Sequence, residues 1–253
     1  MHPILIKLGP FTIYSYGFFL AIGFLLAIIY ATREAKRVGV DPQKVSDMAF
    51  YLIVSALIGA RLLFILTEFN DFVDNPLEVF KIWKGGLVFY GGFIGALLAG
   101  IWYVKRNNMP LWKTADIIAP AIALGQSLGR IGCFSAGCCY GREADVPWAV
   151  TFTDPNSLAR LGVPLHPTQL YESALDFGIF LFLITFRKRK TFDGQLIWLY
   201  TLLYAVARLI VESFRGDPRG FVGGMLATSQ LIGIVMIPIA IFMLMRLGKT
   251  KQN

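Results

Sequence analysis

The sequence predicts an all-α polytopic membrane protein: about seven transmembrane helices in a single domain covering residues 1–253. Three observations predict it. Hydrophobic residues make up 56% of the 253 positions and charged residues only 16%, whereas a soluble domain carries about 25% charged residues. Mean hydropathy is +0.60, and the apolar residues stand in long blocks, not in the alternation of half-buried strands. The blocks are each about 19–23 residues, the length that crosses a ~30 Å hydrocarbon core at ~1.5 Å rise per residue. Such a composition excludes a disordered chain. Three cysteines, all between 133 and 139, are too few to staple a small disulfide scaffold.

In chain order the spans fall at 12–32, 48–66, 85–104, 114–134, 168–186, 195–214 and 223–245. The first is not a cleavable signal peptide. It lacks a basic n-region, is too long for an h-region, and runs into Arg33, Lys36 and Arg37 without a small-residue cleavage site. Fourteen of the 24 basic residues lie in four segments on one side of a seven-span chain: Arg33 to Lys44, Lys105 to Lys113, Arg187 to Lys190, and Arg246 to Lys251. Seven lie on the other side: Lys7, Lys81, Lys84, Arg142, Arg160, Arg215 and Arg219. Because Lys and Arg collect in cytoplasmic loops, the N-terminus is expected outside and the C-terminus in the cytoplasm. The net charge of +8 is then a matter of topology, and no nucleic-acid partner is expected. The longest external segment, about 135–167, holds Pro147, Trp148, Pro155, Asn156, Pro164 and Pro167. It reads as a small ordered cap.

Arg61, Arg130 and Arg208 fall inside spans, where a charge is costly and commonly functional. By rise per residue, Arg208 lies about 9 Å and Arg61 about 8 Å from the external ends of their helices, and Arg130 is also near an external end. Guanidiniums at one depth suit a phosphate gripped by forked hydrogen bonds. The alternative is a helix-locking ion pair with a buried carboxylate, or snorkelling to the interface. On the sixth span Tyr204, Arg208, Glu212 and Arg215 share a face, so Glu212 can hold either arginine in place. On the fifth, Gln169, Glu172 and Asp176 share a face, with Asp176 roughly 10 Å below Gln169 and in need of a polar partner.

The third span opens Gly85-Gly86-Leu87-Val88-Phe89-Tyr90-Gly91-Gly92. Gly91 and Gly95 make a small-xxx-small helix contact, and the paired glycines leave room beside Tyr90. The fourth span ends Gly129-Arg130-Ile131-Gly132-Cys133-Phe134-Ser135-Ala136-Gly137-Cys138-Cys139-Tyr140-Gly141. Cys138 and Cys139 with His166 match no standard zinc spacing, and adjacent cysteines bridge poorly. Neither metal nor organic cofactor is expected, and the segment reads as a tight turn of small residues. His166, before Pro167 at a span boundary, suits a cap or interface residue as well as a proton carrier.

Together these segments resemble the prolipoprotein diacylglyceryl transferase family. The resemblance runs from Tyr14-Ser15-Tyr16-Gly17 to the last span. Its best matches are Trp83 to Gly92, Gly129-Arg130-x-Gly-x-Phe, His166-Pro167-Thr168-Gln169-Leu170-Tyr171-Glu172 and Arg208-Leu209-Ile210-Val211-Glu212-Ser213-Phe214-Arg215. The chain departs from the family pattern at Tyr90, where the family often has histidine. It departs again at Cys133, Ala136 and Cys138, where Asn, Asn and Glu are usual. The resemblance implies a multi-pass protein of the bacterial inner membrane with its site towards the outer leaflet. The implied reaction moves the diacylglyceryl group of phosphatidylglycerol onto the lipobox cysteine of a preprolipoprotein signal segment, releasing glycerol 1-phosphate. Arg130 and Arg208 would hold the phosphate, with Glu212 orienting Arg208 and Tyr90 positioning or relaying a proton. Arg61, Arg215, Tyr16, Glu172, His166 and Gly141 complete the expected substrate contacts. A rival reading, a small transporter or lipid flippase with an outer-leaflet anion site, calls for duplicated halves with broken helices at the midplane. No such duplication is legible.

Overall fold

The computed structural model describes residues 2–9, 11–69, 72, 76–81, 85–217, 221–222 and 226–250. Trp83, Lys84, Arg219, Lys251 and the start of the seventh expected span, 223–225, lie outside the described residues. Seven α-helices are described: α1 (Ser15–Val38), α2 (Pro42–Thr67), α3 (Phe89–Arg106), α4 (Leu111–Ala136), α5 (Thr168–Phe186), α6 (Gln195–Glu212) and α7 (Thr228–Thr250). Six are long and apolar enough to cross a membrane. α3 falls short because Lys105 and Arg106 lie within its 18 residues.

The helices are apolar on the outside. Phe18, Leu25, Leu62, Leu98, Phe177, Ile210 and Phe242 are exposed, while Glu34, Asp116, Ser127, Glu172, Asp176 and Glu212 are buried. This inverts the arrangement of a soluble bundle, and it is what a lipid solvent selects. The chain forms a multi-pass membrane protein.

Two compact units divide the chain: residues 1–30 with 115–253, and residues 31–114. In the second unit, Asp41 accepts a hydrogen bond from Gln43 N at 2.9 Å and Pro42 starts α2, an N-cap followed by proline. α2 and α3 meet along a seam of small residues. A Cβ on Gly95 would stand 2.5 Å from the Ser55 carbonyl, and Gly59 and Gly91 are still tighter against one another. This is the small-residue packing expected of Gly91 and Gly95.

In the first unit the core is Ala119 and Ala123 of α4 against Ile179 and Leu183 of α5 and Leu196 and Tyr200 of α6. Alanines on α4 let the neighbouring helices approach. α1 reaches α4 in the same way: a Cβ on Gly23 would lie 3.0 Å from the Gly125 carbonyl, and one on Gly132 3.1 Å from the Tyr16 carbonyl. Ser127 and Ser173 exchange hydrogen bonds, each hydroxyl donating to the other's carbonyl at 3.0 and 2.9 Å. At the opposite end of α4, Asp116 accepts from Gly194 N and Ile197 N at 2.9 and 3.1 Å, capping α6, and pairs with Lys190 at 3.0 Å.

The sequence reading missed the strands. An antiparallel hairpin, β1 (Ile4–Leu8) with β2 (Phe11–Tyr14), precedes α1, and two-residue pairs join β3 (Val150–Thr151) to β4 (Pro164–Leu165) and β5 (Phe221–Val222) to β6 (Leu226–Ala227). Residues 137–167 form the ordered cap that the prolines suggested. Tyr140, Phe152, Ala159 and Leu165 are buried together as its own small core. Gly141 fixes how it sits: its N–H donates to the His166 carbonyl at 3.0 Å, and a Cβ there would come within 2.6 Å of that oxygen and 2.8 Å of the Phe214 carbonyl. Only glycine lets these three stretches of backbone cross.

Candidate active site

The site is assembled on α4, α5 and α6 of the first unit. Glu172, 3% exposed, is its centre. Its carboxylate pairs with Arg130 Nη2 at 2.8 Å, and both its oxygens accept from Arg208 Nη1, at 3.1 and 3.0 Å. Arg208 Nη2 faces Glu212 Oε2 at 2.9 Å and Ser229 Oγ at 3.5 Å. Two guanidiniums from two helices therefore share one carboxylate, and a second carboxylate holds the far side of Arg208. The Ser127–Ser173 exchange pins α4 to α5 beside this centre, since Arg130 follows Ser127 by three residues and Ser173 is adjacent to Glu172.

Asp116 and Arg130 are both on α4, about 21 Å apart along the helix axis. The arginine cluster thus belongs to the capped end of this unit, away from the Asp116–Lys190 end. Two half-buried guanidiniums balance the two buried carboxylates Glu172 and Glu212, which makes the burial tolerable. An incoming anion would meet donors already oriented and must compete with Glu172 for them.

Gln169, Glu172 and Asp176 do share the buried face of α5. Gln169 Nε2 donates to the Cys138 carbonyl at 2.7 Å, and Thr168 Oγ1 to the Cys139 carbonyl at 2.8 Å, tying the turn after α4 to the start of α5. Asp176 departs from expectation: both carboxyl oxygens are buried with no hydrogen-bond partner among the described residues.

Other expected site residues are placed differently. Arg215 lies beyond the end of α6. Its backbone bridges to Gly141, and its guanidinium takes Asp217 in a forked pair at 2.9 and 2.8 Å. The helix stops at Glu212 because the chain turns there to meet the cap, with Arg142 N donating to the Phe214 carbonyl at 2.9 Å. His166 is in the cap: Nδ1 lies 3.1 Å from the Tyr171 hydroxyl, which also accepts from Trp148 Nε1 at 2.7 Å, and its ring stands edge-on to Phe214. Burial, with Arg142 adding to it, holds the imidazole below its usual value. Tyr16, in the first turn of α1, packs by its backbone on Gly132 of α4.

Arg61 and Tyr90 belong to the second unit. Arg61 is buried and donates from all three nitrogens to backbone: Nε to Val79 O at 2.9 Å, Nη1 to Gly85 O and Gly86 O at 2.8 and 3.2 Å, Nη2 to Glu78 O at 2.5 Å. Phe64 and Phe72 flank the guanidinium. The charge of Arg61 is thus met by backbone carbonyls. Gly86, at φ 75°, lets the chain pass so close that a Cβ there would meet Arg61 Nη1 at 2.7 Å. Tyr90 opens α3 and is partly exposed beside Phe89.

The cysteine turn is more than a run of small residues. The sulfurs of Cys133, Cys138 and Cys139 all lie within 4.8 Å of one another. Gly137 at φ 80° and Cys139 at φ 61° reverse the chain, and that reversal, invisible in linear spacing, gathers them.

Fold and site define a multi-pass membrane protein carrying a buried arginine–carboxylate centre beneath a small cap. A family model for prolipoprotein diacylglyceryl transferase matches residues 3–246. A phosphatidylglycerol–prolipoprotein diacylglyceryl transferase of Clostridium tetani is 40% identical over 242 residues, covering 96% of this chain and 96% of the relative. Those of Vibrio atlanticus and Clostridioides difficile are 36% and 35% identical, covering 96% and 94% of this chain and 89% and 92% of the relatives. The chain belongs to the prolipoprotein diacylglyceryl transferase family.

Proposed function

We infer that this chain is a phosphatidylglycerol–prolipoprotein diacylglyceryl transferase. It moves the diacylglyceryl group of phosphatidylglycerol to the thiol of a lipobox cysteine in a bacterial preprolipoprotein. The observation that carries the reading is the pair Arg130 and Arg208, preoriented on Glu172 at the capped end of an apolar bundle. The substrate thiolate attacks the glycerol carbon that bears the phosphate ester. A C–S bond forms, the C–O bond breaks, and its electron pair leaves on the phosphate oxygen of glycerol 1-phosphate.

Arg130 and Arg208 bind the phosphate, and Arg208 stabilises the charge that grows on the leaving oxygen. Glu212 fixes the Arg208 rotamer, and Glu172 keeps the two guanidiniums apart and in place. The substrate thiol, with an ordinary value near 8.5, must ionise, and the guanidiniums favour its anion. Tyr90 positions the substrate or relays the proton. Arg215, Tyr16, His166 and Gly141 shape the approach from the cap side. Arg61 supports the segment leading into Tyr90. The protein lies in the bacterial inner membrane with an external N-terminus, a cytoplasmic C-terminus and the site towards the outer leaflet, as the split of its basic residues argues.

The test is direct. Purified protein in nanodiscs with phosphatidylglycerol is given a lipobox peptide. Mass spectrometry should find the peptide heavier by one diacylglyceryl group, with glycerol 1-phosphate released in equal amount. Lipid movement or anion flux without a modified peptide would favour the transporter and remove this reading.

A further inference from the structure

We propose that Cys133, Cys138 and Cys139 form a three-thiolate site for a soft divalent cation of the zinc class. Cys133 lies in the last turns of α4, and Cys138 and Cys139 in the reversal that follows. Their three sulfurs are mutually within 4.8 Å. Sulfurs bound tetrahedrally at ~2.3 Å from zinc stand about 3.8 Å apart, so closing the site needs at most about an ångström of movement per pair.

The turn is fixed independently of any ligand. Cys138 N donates to the Cys133 carbonyl at 3.2 Å, and the carbonyls of Cys138 and Cys139 are held by Gln169 and Thr168 of α5. Gly137 has no room for a side chain, because Ser157 and Ala159 of the cap close over it. With the backbone tied on both sides, the convergence of the thiols follows from the fold.

The number of thiols separates metal from disulfide. A disulfide uses two sulfurs and leaves the third beside it without purpose. Neighbouring Cys138 and Cys139 bridge poorly in any case. Three thiolates are a zinc donor set, and soft sulfur selects zinc over magnesium or calcium. The Arg130 and Arg215 guanidiniums, each also paired with a carboxylate, act on this cluster and favour anionic sulfur there. Among the described residues no histidine or carboxylate joins the three. A tetrahedral ion here would therefore keep one coordination position for water or an incoming thiolate, the pattern of reactive zinc sites and not of closed structural ones.

The experiment uses the full chain in detergent, reduced and then freed of reductant without air. It is titrated with Co2+ and Cd2+ against a chromophoric chelator. One metal per chain with a thiolate-to-metal charge-transfer band is expected. Cys133→Ser, Cys138→Ser and Cys139→Ser should each weaken binding by more than the ~10–100-fold typical of an outer-shell loss. Bound Cd2+ should also shield the three wild-type thiols from alkylation, a readout that needs no variant to fold. Absence of the charge-transfer band, its persistence in a folded triple variant, or a Cys133–Cys138 disulfide in protein isolated without reductant would each overturn the proposal.

Discussion

Arg208 Nη1 donates to both oxygens of Glu172, at 3.1 and 3.0 Å, and so leaves Nη2 for Glu212 at 2.9 Å. One guanidinium is divided between two carboxylates from different helices, and this division sets the Arg208 plane. Arg208→Ala should lower transferase rate per folded molecule by roughly a hundred- to a thousand-fold, the scale of a lost oxyanion donor. Arg208→Lys should recover little, since an ammonium cannot hold two carboxylates in one plane. Rates in nanodiscs read alongside thermal unfolding decide it. Normal turnover by a destabilised Arg208→Ala protein would reduce this residue to a helix lock and leave Arg130 as the main phosphate ligand.

Glu172, itself buried, balances two half-buried cations. Glu172→Ala should destabilise the protein by about 3–5 kcal/mol, because Arg130 and Arg208 lose their common counter-charge. Adding Arg130→Met should return part of the loss, as removal of one stranded charge must. Unfolding midpoints in detergent for the two variants measure this. Further destabilisation by the second substitution would mean that Arg130 depends on other partners.

Arg61 serves its own backbone. Arg61→Ala should speed hydrogen exchange at Gly85–Val88 and cost about 3 kcal/mol, as several carbonyls lose their donor. A phosphate ligand would behave otherwise, raising KM for phosphatidylglycerol with exchange unchanged.

His166 links the cap to pH. Its imidazole is held below the ordinary value by burial and by Arg142. The unfolded chain therefore binds a proton first as pH falls. Stability from this residue is full above about 6.5 and declines as acid approaches the lower folded value. Unfolding midpoints between pH 8 and pH 5, as about that range brackets the titration, should fall more steeply in the wild type than in His166→Gln. Parallel curves would show that acid acts elsewhere.

Orientation follows from the basic segments. In a chain whose three cysteines are replaced, Asn156→Cys should react with an impermeant maleimide in intact cells, and Lys188→Cys only after lysis. The reverse pattern would invert the topology.

The helices were legible because lipid imposes one simple rule on their length and composition. The fifth span was read at 168–186, and α5 runs Thr168–Phe186. Ends set by polar contacts were not legible. α6 stops at Glu212 because the cap crosses at Gly141, and α3 begins at Phe89 because Gly85 and Gly86 take positive φ to meet Arg61. Glu172 could be placed on the right face by its spacing from Gln169 and Asp176, but its two arginines come from segments 42 and 36 residues away in sequence. No local pattern encodes that convergence. The cysteine cluster was hidden for the same reason, since a left-handed residue at Cys139 changes which sulfurs meet.

The shared carboxylate also bears on how the chain enters the membrane. α5 carries Glu172 and Asp176 with no base in its span, whereas α4 brings Arg130 and α6 brings Arg208. Released singly into lipid, each helix would carry a charge whose cost has an upper bound of about 2.5–3.5 kcal/mol, the value at mid-bilayer. Partition of these three segments is therefore cooperative: α4 and α5 leave the insertion machinery most cheaply once α6 has been synthesised and can join them. A truncation after α5 should be held back or degraded, though every hydrophobic residue of that helix is in place.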